Sequence, residues 1–522
     1  MARKKAGSKA PPAGRAKRTG RKAAGAAKPS AGKAPTEGKG KLLDVDGAIA
    51  MLRTTRPTFY RWLRTGKIKG MKVGRQWRFY QADIERFLKG QEPQVELRTD
   101  IGPLVKALAG RLKAAGGSDP TGPGDSPVQR ATGLMIALAA RMRASDIHLE
   151  PYESAACLRV RVDGVLHPIA DLDLRLLPAL VEQFKRMANC DVLERRLPQD
   201  GRILVSLKQA GGEPAKLDLR VNFLPALMGE AVTLRILRRD EALVSLDRID
   251  YAPADRQRLG RALGNPWGLL VFSGPTGSGK TTVLYACLRH LIRPSVKVMS
   301  IEDPVEYMIP GVVQAAVNEK MGMTFARAIR AFLRSDPDVM MVGEIRNRET
   351  LEICHQAALT GHLVMTTLHT DGAPETLKRM LDIGVPPFLV ADAVKFVSAQ
   401  RLVRCLCQSC AAPVEPSGEA LARAEELARK GGVDWEALPK TFRKPVGCEK
   451  CGQVGYRGRK LIVEMLEMTP EISGALRRGA AVDDLRAIAI GQGMTPMPVD
   501  GIRRAAAGQT TLDEVFRVLS LK

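Results

Sequence analysis

The sequence is poor in aromatic residues and has no long apolar run. Phe, Tyr and Trp make up 4% of its 522 residues, which favours aliphatic cores in an α/β or α-helical fold. No segment approaches the roughly 18 consecutive apolar residues that a membrane-spanning helix requires. The basic N-terminus also lacks the apolar stretch of a secretory signal. The sequence therefore predicts a protein that stays in the cytoplasm.

Acidic residues are scarce at the front of the chain. Residues 1–41 contain thirteen Lys and Arg against one acid, and residues 42–90 contain eleven against four. Most of the net charge of +25 thus belongs to the first 90 residues. Residues 1–41 also have almost no aromatic or large aliphatic side chain, so we expect a disordered basic tail. Such a tail serves either solubility or loose attraction to nucleic acid or anionic lipid.

Residues 42–90 carry two groups of apolar residues at helical spacing, separated by the short stretch TTRP. The basic segment KVGRQWRF predicts a hairpin, and Asp83–Leu88 a third helix. The pattern resembles the excisionase-type, MerR-related winged helix-turn-helix module, a family whose second helix enters the major groove of DNA. If DNA is bound, the resemblance implies phosphate contacts from Arg61, Lys72, Arg75 and Arg78. Alternatively, residues 42–90 form a module that docks another protein, and their basic face contacts only water.

The next two segments differ in composition. Residues 91–127 are expected to be a linker, because a short helical stretch is followed by the run GGSDPTGPGDSP. From residue 128 to about 245, short strands alternate with helical segments, and paired strands are joined through glycine. This pattern predicts an antiparallel sheet with helices on one face.

The strongest chemical signal is GPTGSGKTT, which follows the apolar strand WGLLVFS and precedes the helix VLYACLRHLI. A strand, a Gly-rich loop and a helix in this order form a phosphate-binding loop. Its glycines let backbone N–H groups converge on the phosphates, and the helix dipole adds to the attraction. Lys280 is expected to reach the β- and γ-phosphates of ATP, and the Thr281 hydroxyl to hold Mg²⁺. The nine residues of this predicted nucleotide site are Gly274, Pro275, Thr276, Gly277, Ser278, Gly279, Lys280, Thr281 and Thr282.

Acids and histidines accompany three later apolar strands. Glu302 and Glu306 end the first of these segments, Glu344 follows the second, and His362 and His369 flank the third. An acid at the carboxyl end of a strand beside a phosphate loop can hold water on Mg²⁺ or orient the attacking water. Taken alone, each acid would equally suit a helix cap or a surface turn. We expect His369 to sense the γ-phosphate and His362 to be structural.

Five of the nine cysteines fall within 47 residues, which in a cytoplasmic chain indicates a metal rather than disulfides. Cys407 and Cys410 form one CxxC pair, and Cys448 and Cys451 form another. Four thiolates satisfy tetrahedral Zn²⁺ without leaving an open position. A structural zinc site is therefore predicted, with Cys405 fitting neither pair.

These motifs occur in an order that resembles the type II/IV secretion ATPase superfamily, most closely its general secretion pathway protein E and type IV pilus assembly ATPase branch. The resemblance covers about residues 128–522 and includes RASDIHLEP, RLPQDGRI, EDPVEY, DPDVMMVGEIR and TGHLVMTTLHT. It implies an α/β fold in which an α+β, PAS-like half over 128–245 precedes a RecA-like P-loop ATPase domain over 246–522. A small zinc subdomain is implied at about 403–460.

The same resemblance implies function. Members of this superfamily are hexamers that bind ATP between the two halves of each subunit and drive an inner-membrane platform protein. The chain is accordingly expected at the cytoplasmic face of that membrane. In the family, arginines of the first half contact the phosphates. The resemblance assigns this role here to Arg220, Arg235 and, as a third candidate, Arg202. The four-cysteine subdomain is typical of assembly rather than retraction ATPases.

Two hypotheses from different classes remain open. The first is a motor that hydrolyses ATP for type II secretion or for assembly of a type IV pilus or pseudopilus, DNA-uptake systems included. The second is a DNA-binding regulator in which the ATPase acts as a switch. The second is favoured by residues 42–90 and by the charge at the front of the chain.

Overall fold

The computed structural model describes residues 42–64, 68, 71–73, 76–88, 100–122, 124–207, 215–237 and 245–520. The chain divides into two compact units between residues 96 and 97. Within the described ranges, no helix combines the length and the apolar character needed to cross a bilayer.

Over its described residues, the first unit contains three short helices and a three-stranded antiparallel sheet. Its elements are β1 (Leu42–Leu43), α1 (Val45–Leu52), α2 (Arg56–Arg64), β2 (Met71–Val73), β3 (Gln76–Tyr80) and α3 (Gln81–Leu88). The strand order is β1-β3-β2. Phe59 of α2 meets Phe79 of β3 edge to face, with 5.1 Å between ring centroids, at the centre of the apolar core. The Asp44 carboxylate caps α1 by accepting from the Gly47 N–H at 2.8 Å.

The helix-turn-helix and the hairpin predicted from the sequence are present in this unit. The third helix begins at Gln81, two residues before the predicted start. The predicted nucleic-acid contacts are distributed over α2 (Arg61), β2 (Lys72) and β3 (Arg78). The fourth, Arg75, lies outside the described residues.

The second unit opens with helices packed on a six-stranded antiparallel sheet. The helices are α4 (Gly102–Ala114), α5 (Pro127–Arg141) and α6 (Leu177–Met187). The strands are β4 (Asp146–Pro151), β5 (Ala156–Val162), β6 (Val165–Leu172), β7 (Gln199–Leu207), β8 (Ala215–Ala226) and β9 (Gly229–Leu237), in the order β6-β5-β4-β9-β8-β7. Apolar residues of the helices and of alternate strand positions share one core.

Helix α4 occupies part of the segment predicted to be a linker, residues 91–127. Its Leu104, Leu108 and Leu112 recur every four residues, are buried and pack in the same core as α5 and the sheet. This helix therefore belongs to the folded unit. The Gly/Pro-rich run that follows it connects two packed helices instead of separating two domains.

The rest of the second unit is built on a seven-stranded sheet with helices on both faces. The strands are β10 (Gly268–Ser273), β11 (Val298–Glu302), β12 (Val312–Ala316), β13 (Val339–Val342), β14 (Leu363–Leu368), β15 (Val394–Leu406) and β18 (Tyr456–Glu467). The order is β12-β11-β13-β14-β10-β15-β18, and only β18 is antiparallel to its neighbour. Every residue of β10 is buried, as expected of a parallel strand between two helical layers.

The helices of this part follow the strands along the chain. They are α7 (Pro253–Leu263), α8 (Lys280–Leu291), α9 (Phe325–Phe332), α10 (Arg348–Leu359), α11 (Ala373–Ile383) and α12 (Pro387–Ala393). Because the parallel strands share one direction, their carboxyl ends meet at one edge of the sheet. That edge is where open α/β sheets bind their ligands.

Four helices follow β18: α14 (Pro470–Arg477), α15 (Val482–Gly491), α16 (Met497–Ala506) and α17 (Leu512–Val518). A small subdomain lies between β15 and β18 and contains β16 (Ala412–Pro413), α13 (Gly418–Lys430) and β17 (Arg443–Lys444). Helix α13 lies between the two CxxC pairs in the sequence. Its Ala424 and Ala428 are fully buried, and Ala424 joins the core of the sheet. The small alanine side chains let the helix pack closely on the main body.

Candidate functional site

The Gly-rich loop leaves β10 after Ser273 and leads into α8, which begins at Lys280. Gly274 has a φ of 143°, and a Cβ there would come within 2.5 Å of the Gln400 carbonyl oxygen. Only glycine therefore lets the loop pass over β15 at this point. Gly279, with a φ of 89°, precedes the helix. The first turn of α8 thus presents its backbone N–H groups beside a cleft.

The Lys280 side chain folds back onto the loop that carries it. Its Nζ donates to the carbonyl oxygens of Gly274 at 2.7 Å and Pro275 at 3.0 Å. Burial disfavours the charged ammonium and lowers the pKa of Lys280 to about 8, although the nearby Glu344 opposes this shift. A polyphosphate bound here would restore the charged form.

The cleft above the loop has a volume of about 480 Å³. Besides the loop, it is lined by residues that follow or end β11, β13 and β14, as the shared direction of these strands requires. All four acids and one histidine of these segments take part: Glu302, Asp303, Glu306, Glu344 and His369. The fold therefore gathers the phosphate loop and both acidic segments around one space.

Glu344 lies just beyond the end of β13 and faces the cleft. Its Oε2 is 3.3 Å from His369 Nε2, and its Oε1 accepts from Arg346 Nε at 2.6 Å. Arg346 also reaches Asp303, with Nη1 2.9 Å from Oδ2. Burial pushes the pKa of Glu344 upward, but the hydrogen bonds from His369 and Arg346 outweigh it and hold that pKa below its ordinary value. The carboxylate is therefore ionised at neutral pH and able to accept a proton.

Glu302 has a different environment, although it lines the same cleft. It is 3% exposed, and its carboxylate accepts from the Tyr285 hydroxyl, from Ser300 Oγ at 2.7 Å and from Gln314 Nε2 at 3.0 Å. Burial and the hydrogen bond to Glu302 raise the pKa of Tyr285. This network connects β11 to helix α8, so Glu302 is placed to fix the relative positions of the strand and the helix.

The three arginines predicted to meet the phosphates form a row across the antiparallel sheet. Arg202 of β7 is opposite Arg220 of β8, and Arg220 is opposite Arg235 of β9, so all three share one face. Only Arg220 reaches a residue of the cleft: its Nη2 is 3.1 Å from Glu306 Oε2 and donates to the Val305 carbonyl at 3.3 Å.

The other two arginines are paired with acids of their own sheet. Arg235 Nε donates to Asp146 Oδ1 at 3.1 Å, and Arg202 Nε donates to Asp218 Oδ1 at 2.7 Å. His362 is also away from the cleft, with Nδ1 3.0 Å from the Ala357 carbonyl oxygen. This position agrees with the structural role expected for His362.

Several residues of the site were missed by the sequence analysis. Hydrogen bonds to the acids come from Tyr285, Gln314 and Arg346, and the cleft is also lined by Leu402 and Arg459. These residues belong to no recognisable sequence motif, because their place in the site depends on which strands become neighbours in the fold. Arg346 alone had a local signal, since it follows Glu344 by two residues in GEIR.

The four cysteines of the two CxxC pairs converge on one point. Their Sγ atoms all lie within 4.8 Å of one another, with separations of 3.8 Å for Cys407–Cys448 and Cys410–Cys451 and 3.7 Å for Cys448–Cys451. Tetrahedral Zn²⁺ with Zn–S bonds of about 2.3 Å places its sulfurs about 3.8 Å apart. The thiol set therefore fits zinc.

Backbone donors support thiolates at this site. Gly447 N–H donates to Cys410 Sγ at 3.4 Å, and the N–H groups of Cys448 and Gly455 each donate to Cys451 Sγ at 3.2 Å. Burial and the neighbouring thiols raise the pKa of Cys410 to about 11 despite the Gly447 N–H. Burial also pushes the pKa of Cys451 upward, but the N–H groups of Cys448 and Gly455 and the neighbouring thiols outweigh it and lower that pKa to about 7. Such donors orient metal ligands and stabilise their charge. Cys405 is not among the grouped thiols.

A Gly-rich loop between a buried parallel strand and a helix, with acids at the ends of neighbouring strands, defines an ATPase of the P-loop class. Its sheet is RecA-like. The chain belongs to the type II/IV secretion system protein family, whose model matches residues 122–517. Residues 42–92 match a helix-turn-helix domain model. Both resemblances inferred from the sequence are thereby confirmed.

Relatives and solved structures agree with this assignment. The chain is 43% identical over 393 residues to type II secretion system protein HxcR of Pseudomonas aeruginosa, covering 75% of this chain and 77% of that protein. It is 42% identical over 400 residues to type IV pilus assembly ATPase PilB of Acinetobacter baylyi, covering 76% and 67%. The X-ray structure of the Legionella pneumophila ATPase DotB shares the fold, with a TM-score of 0.55 and 22% identity over 77% of this chain and 97% of that chain.

We expect the affinity for ADP, measured without added Mg²⁺, to fall as the pH rises through about 8. Below this pKa Lys280 is already charged, whereas above it binding must take up a proton, which weakens the affinity by at most about tenfold per pH unit. Calorimetric titration at pH 7 and pH 9 in buffers of different ionisation enthalpy measures the uptake. Lys430→Met, at an exposed lysine of α13, should leave it unchanged. Absence of proton uptake at pH 9 would contradict the lowered pKa.

The purified chain should contain one zinc per polypeptide. Cys451→Ser should lose most of this metal, because a serine hydroxyl does not replace a thiolate in a tetrahedral site. Cys405→Ser is the matched control and should keep the metal, since that thiol lies outside the group. Metal content by mass spectrometry of the purified variants checks both. Full zinc in Cys451→Ser would refute the assignment.

Proposed function

We propose that the chain is one subunit of a hexameric ring that hydrolyses ATP to power type II secretion or the assembly of a type IV pilus or pseudopilus. The observation that carries the proposal is the convergence of the phosphate loop, Glu344 and His369 on one cleft, where Arg220 contacts the lining residue Glu306. The chain's membership of the type II/IV secretion system protein family, and its similarity to a type II secretion protein and a type IV pilus assembly ATPase, support the proposal that it serves one of these systems. Such a ring acts at the cytoplasmic face of the inner membrane, on a platform protein.

ATP is bound by Gly274–Thr282. The backbone N–H groups of the loop and of α8 hold the phosphates, and Lys280 leaves the carbonyls of Gly274 and Pro275 to reach the β- and γ-phosphates. Mg²⁺, held through the Thr281 hydroxyl, supplies charge neutralisation when bound. Because these contacts act mainly by position and charge, little covalent chemistry is asked of the protein.

Glu344 accepts the proton of the attacking water. Its ionised carboxylate faces the cleft, and its hydrogen bonds to Arg346 and His369 fix its orientation. His369 stands beside it and senses the γ-phosphate. Glu302 keeps the geometry of the site through Tyr285 and Gln314, and Glu306 engages Arg220.

Arg220 connects the reaction to movement. It belongs to the antiparallel half, for which we propose residues 128–245 preceded by helix α4, and its partner Glu306 belongs to the ATPase half, residues 246–522. A terminal phosphate would compete with Glu306 for this guanidinium, and Arg220 would then stabilise the negative charge that develops on the phosphate. We propose the same role for Arg235 of the same row, which would have to exchange Asp146 for the phosphate. Hydrolysis would then release the contact and let the two halves shift.

Glu344→Gln should lower kcat for ATP hydrolysis by about 10²–10⁴-fold, because the general base is lost, while ATP binding persists. Lys280→Ala should lose binding itself. Glu349→Gln, at an exposed acid of α10, is the matched control and should hydrolyse ATP normally. Phosphate release and calorimetric binding, with sedimentation in the presence of ATP to follow the ring, measure these outcomes. Normal turnover by Glu344→Gln would remove Glu344 as the base, and normal turnover by Lys280→Ala would remove the proposed site.

A second candidate function is favoured by the helix-turn-helix match of residues 42–92. In it the chain is a DNA-binding regulator that uses ATP as a switch, with α2 in the major groove and the β2–β3 hairpin along the backbone. The zinc group and the ATPase site are equally compatible with this reading. A docking role for the same module would leave the motor proposal intact.

The DNA hypothesis predicts binding of genomic DNA fragments by the full chain, with an affinity that falls steeply as salt rises. Arg61→Ala combined with Arg75→Ala should reduce this binding about tenfold or more, because each lost phosphate contact weakens it. Arg429→Ala, in α13 of the second unit, is the control. Fluorescence anisotropy over a salt series, with and without ATP, checks the prediction. Equal binding by the double variant and the control would exclude DNA contact through these residues.

A further inference from the structure

His369 reaches the cleft from the loop that joins β14 to α11, residues 369–372. This loop begins beside the phosphate loop, because the Leu368 carbonyl accepts from the Gly274 N–H at 3.3 Å. The His369 side chain is 48% exposed, so packing around the ring fixes it incompletely. The position of the imidazole therefore depends on how the backbone of the loop is held.

Arg401 of β15 holds the loop that carries His369. Its Nη2 donates to Asp371 Oδ1 at 2.8 Å, and its Nη1 donates to the Gln400 carbonyl at 3.0 Å. The same carbonyl is the one over which Gly274 passes. One guanidinium thus joins the His369 loop to the backbone beneath the phosphate loop.

The two partners of this ion pair differ in exposure. The Arg401 side chain is 9% exposed, whereas that of Asp371 is 98% exposed. A buried guanidinium stays protonated and requires partners for its charge. Burial lowers the pKa of Arg401, and Asp371 and Glu464 oppose this shift. Arg401 is therefore the fixed member of the pair, and the exposed Asp371 takes its position from it.

The other end of the loop is anchored independently. Glu464 of β18 accepts from the Ala373 N–H at 2.6 Å, and Thr370 Oγ1 lies 2.7 Å from Thr376 Oγ1 in α11. These contacts connect the loop to β18 and to α11, whereas Arg401 connects it to β15, the strand beneath the phosphate loop. Loss of the contact with β15 should therefore shift the loop without unfolding it.

Arg401 lies on the face of the sheet away from the nucleotide cleft. Successive side chains of a strand point to opposite faces, and the next residue, Leu402, lines the cleft. Among the described residues that line the cleft, Arg401 is absent. Its charge nevertheless reaches the site, because it adds to the burial that lowers the pKa of Lys280. Arg401 is thus close to the phosphate loop without lining the space that a nucleotide would fill.

We propose that Arg401, through its ion pair with Asp371, is a positioning residue for His369. The pair sets how far the imidazole stands from the terminal phosphate and from Glu344. The inference rests on the proposed function of the cleft and deepens it by naming what holds the γ-phosphate sensor in place. Loss of the pair should slow the hydrolytic step, which needs His369 in position, and leave nucleotide binding by the phosphate loop intact.

The test measures ATP hydrolysis by phosphate release and ADP binding by calorimetric titration, both with the full chain. Asp371→Ala should lower kcat roughly 10–100-fold, the effect of a small misplacement of a group that acts on the reacting atoms. KM for ATP and the affinity for ADP should stay unchanged. Asp371→Asn keeps an acceptor for Arg401 and should lose less. Asp382→Ala, at another exposed, ion-paired acid in the last turn of α11, is the matched control and should alter none of these values.

His369→Ala separates a positioning role from a merely structural one. In that variant the imidazole is gone, so the addition of Asp371→Ala should cause no further fall in kcat. An equal fall in both backgrounds would overturn the proposal. A normal kcat in Asp371→Ala, or a loss confined to ADP affinity, would overturn it as well.

Arg401→Lys tests the pair from its other side. A lysine keeps the charge but lacks the planar fork that donates to Asp371 and to the Gln400 carbonyl together, so kcat should fall as in Asp371→Ala. If Arg401→Lys does not fold, Asp371→Ala, at an exposed position, still decides the question. A wild-type chain that hydrolyses no ATP would instead count against the proposed ATPase function.

Discussion

The pairing of β10 between β14 and β15 is the constraint on which the rest of the site depends. Ser273, the last residue of β10, is in register with Leu368 on one side and Ala399 on the other. The chain therefore leaves β10 and β14 at the same height, beside the middle of β15, which brings the Gly-rich loop, His369 and Gln400 side by side. Gln400 then secures the loop, because its Nε2 donates to the Ser278 carbonyl at 3.0 Å. A shift of one residue in either pairing would separate these groups.

Features with a local cause were predictable from the sequence. The apolar strand, the Gly-rich loop and the helix after it depend on residues that are neighbours in the chain, and the α/β class follows from their alternation. The CxxC spacing predicted the thiol group for the same reason. The family resemblance supplied the two halves and the candidate arginines, which no periodicity would have identified.

Features that depend on register or burial were not predictable. The row formed by Arg202, Arg220 and Arg235 exists because three strands pair at matching positions, and only the fold shows that Arg220 alone reaches Glu306. Glu302 and Glu344 look alike in the sequence, yet one is enclosed by three donors and the other faces the cleft. Burial and hydrogen-bond partners, and not residue type, therefore distinguish the environments of these two carboxylates.

The anchoring of α13 bears on what the metal contributes. Small zinc-binding domains commonly unfold without their ion, because little else holds them together. Here the helix that separates the two cysteine pairs is rooted in the large core through Ala424, and β15 and β18 form the stem on which the thiols stand. The ion would therefore order only the segments that carry the four cysteines, because the strands and the helix beside them are already held by the core. Removal of the metal would make these segments mobile together and leave the ATPase domain folded.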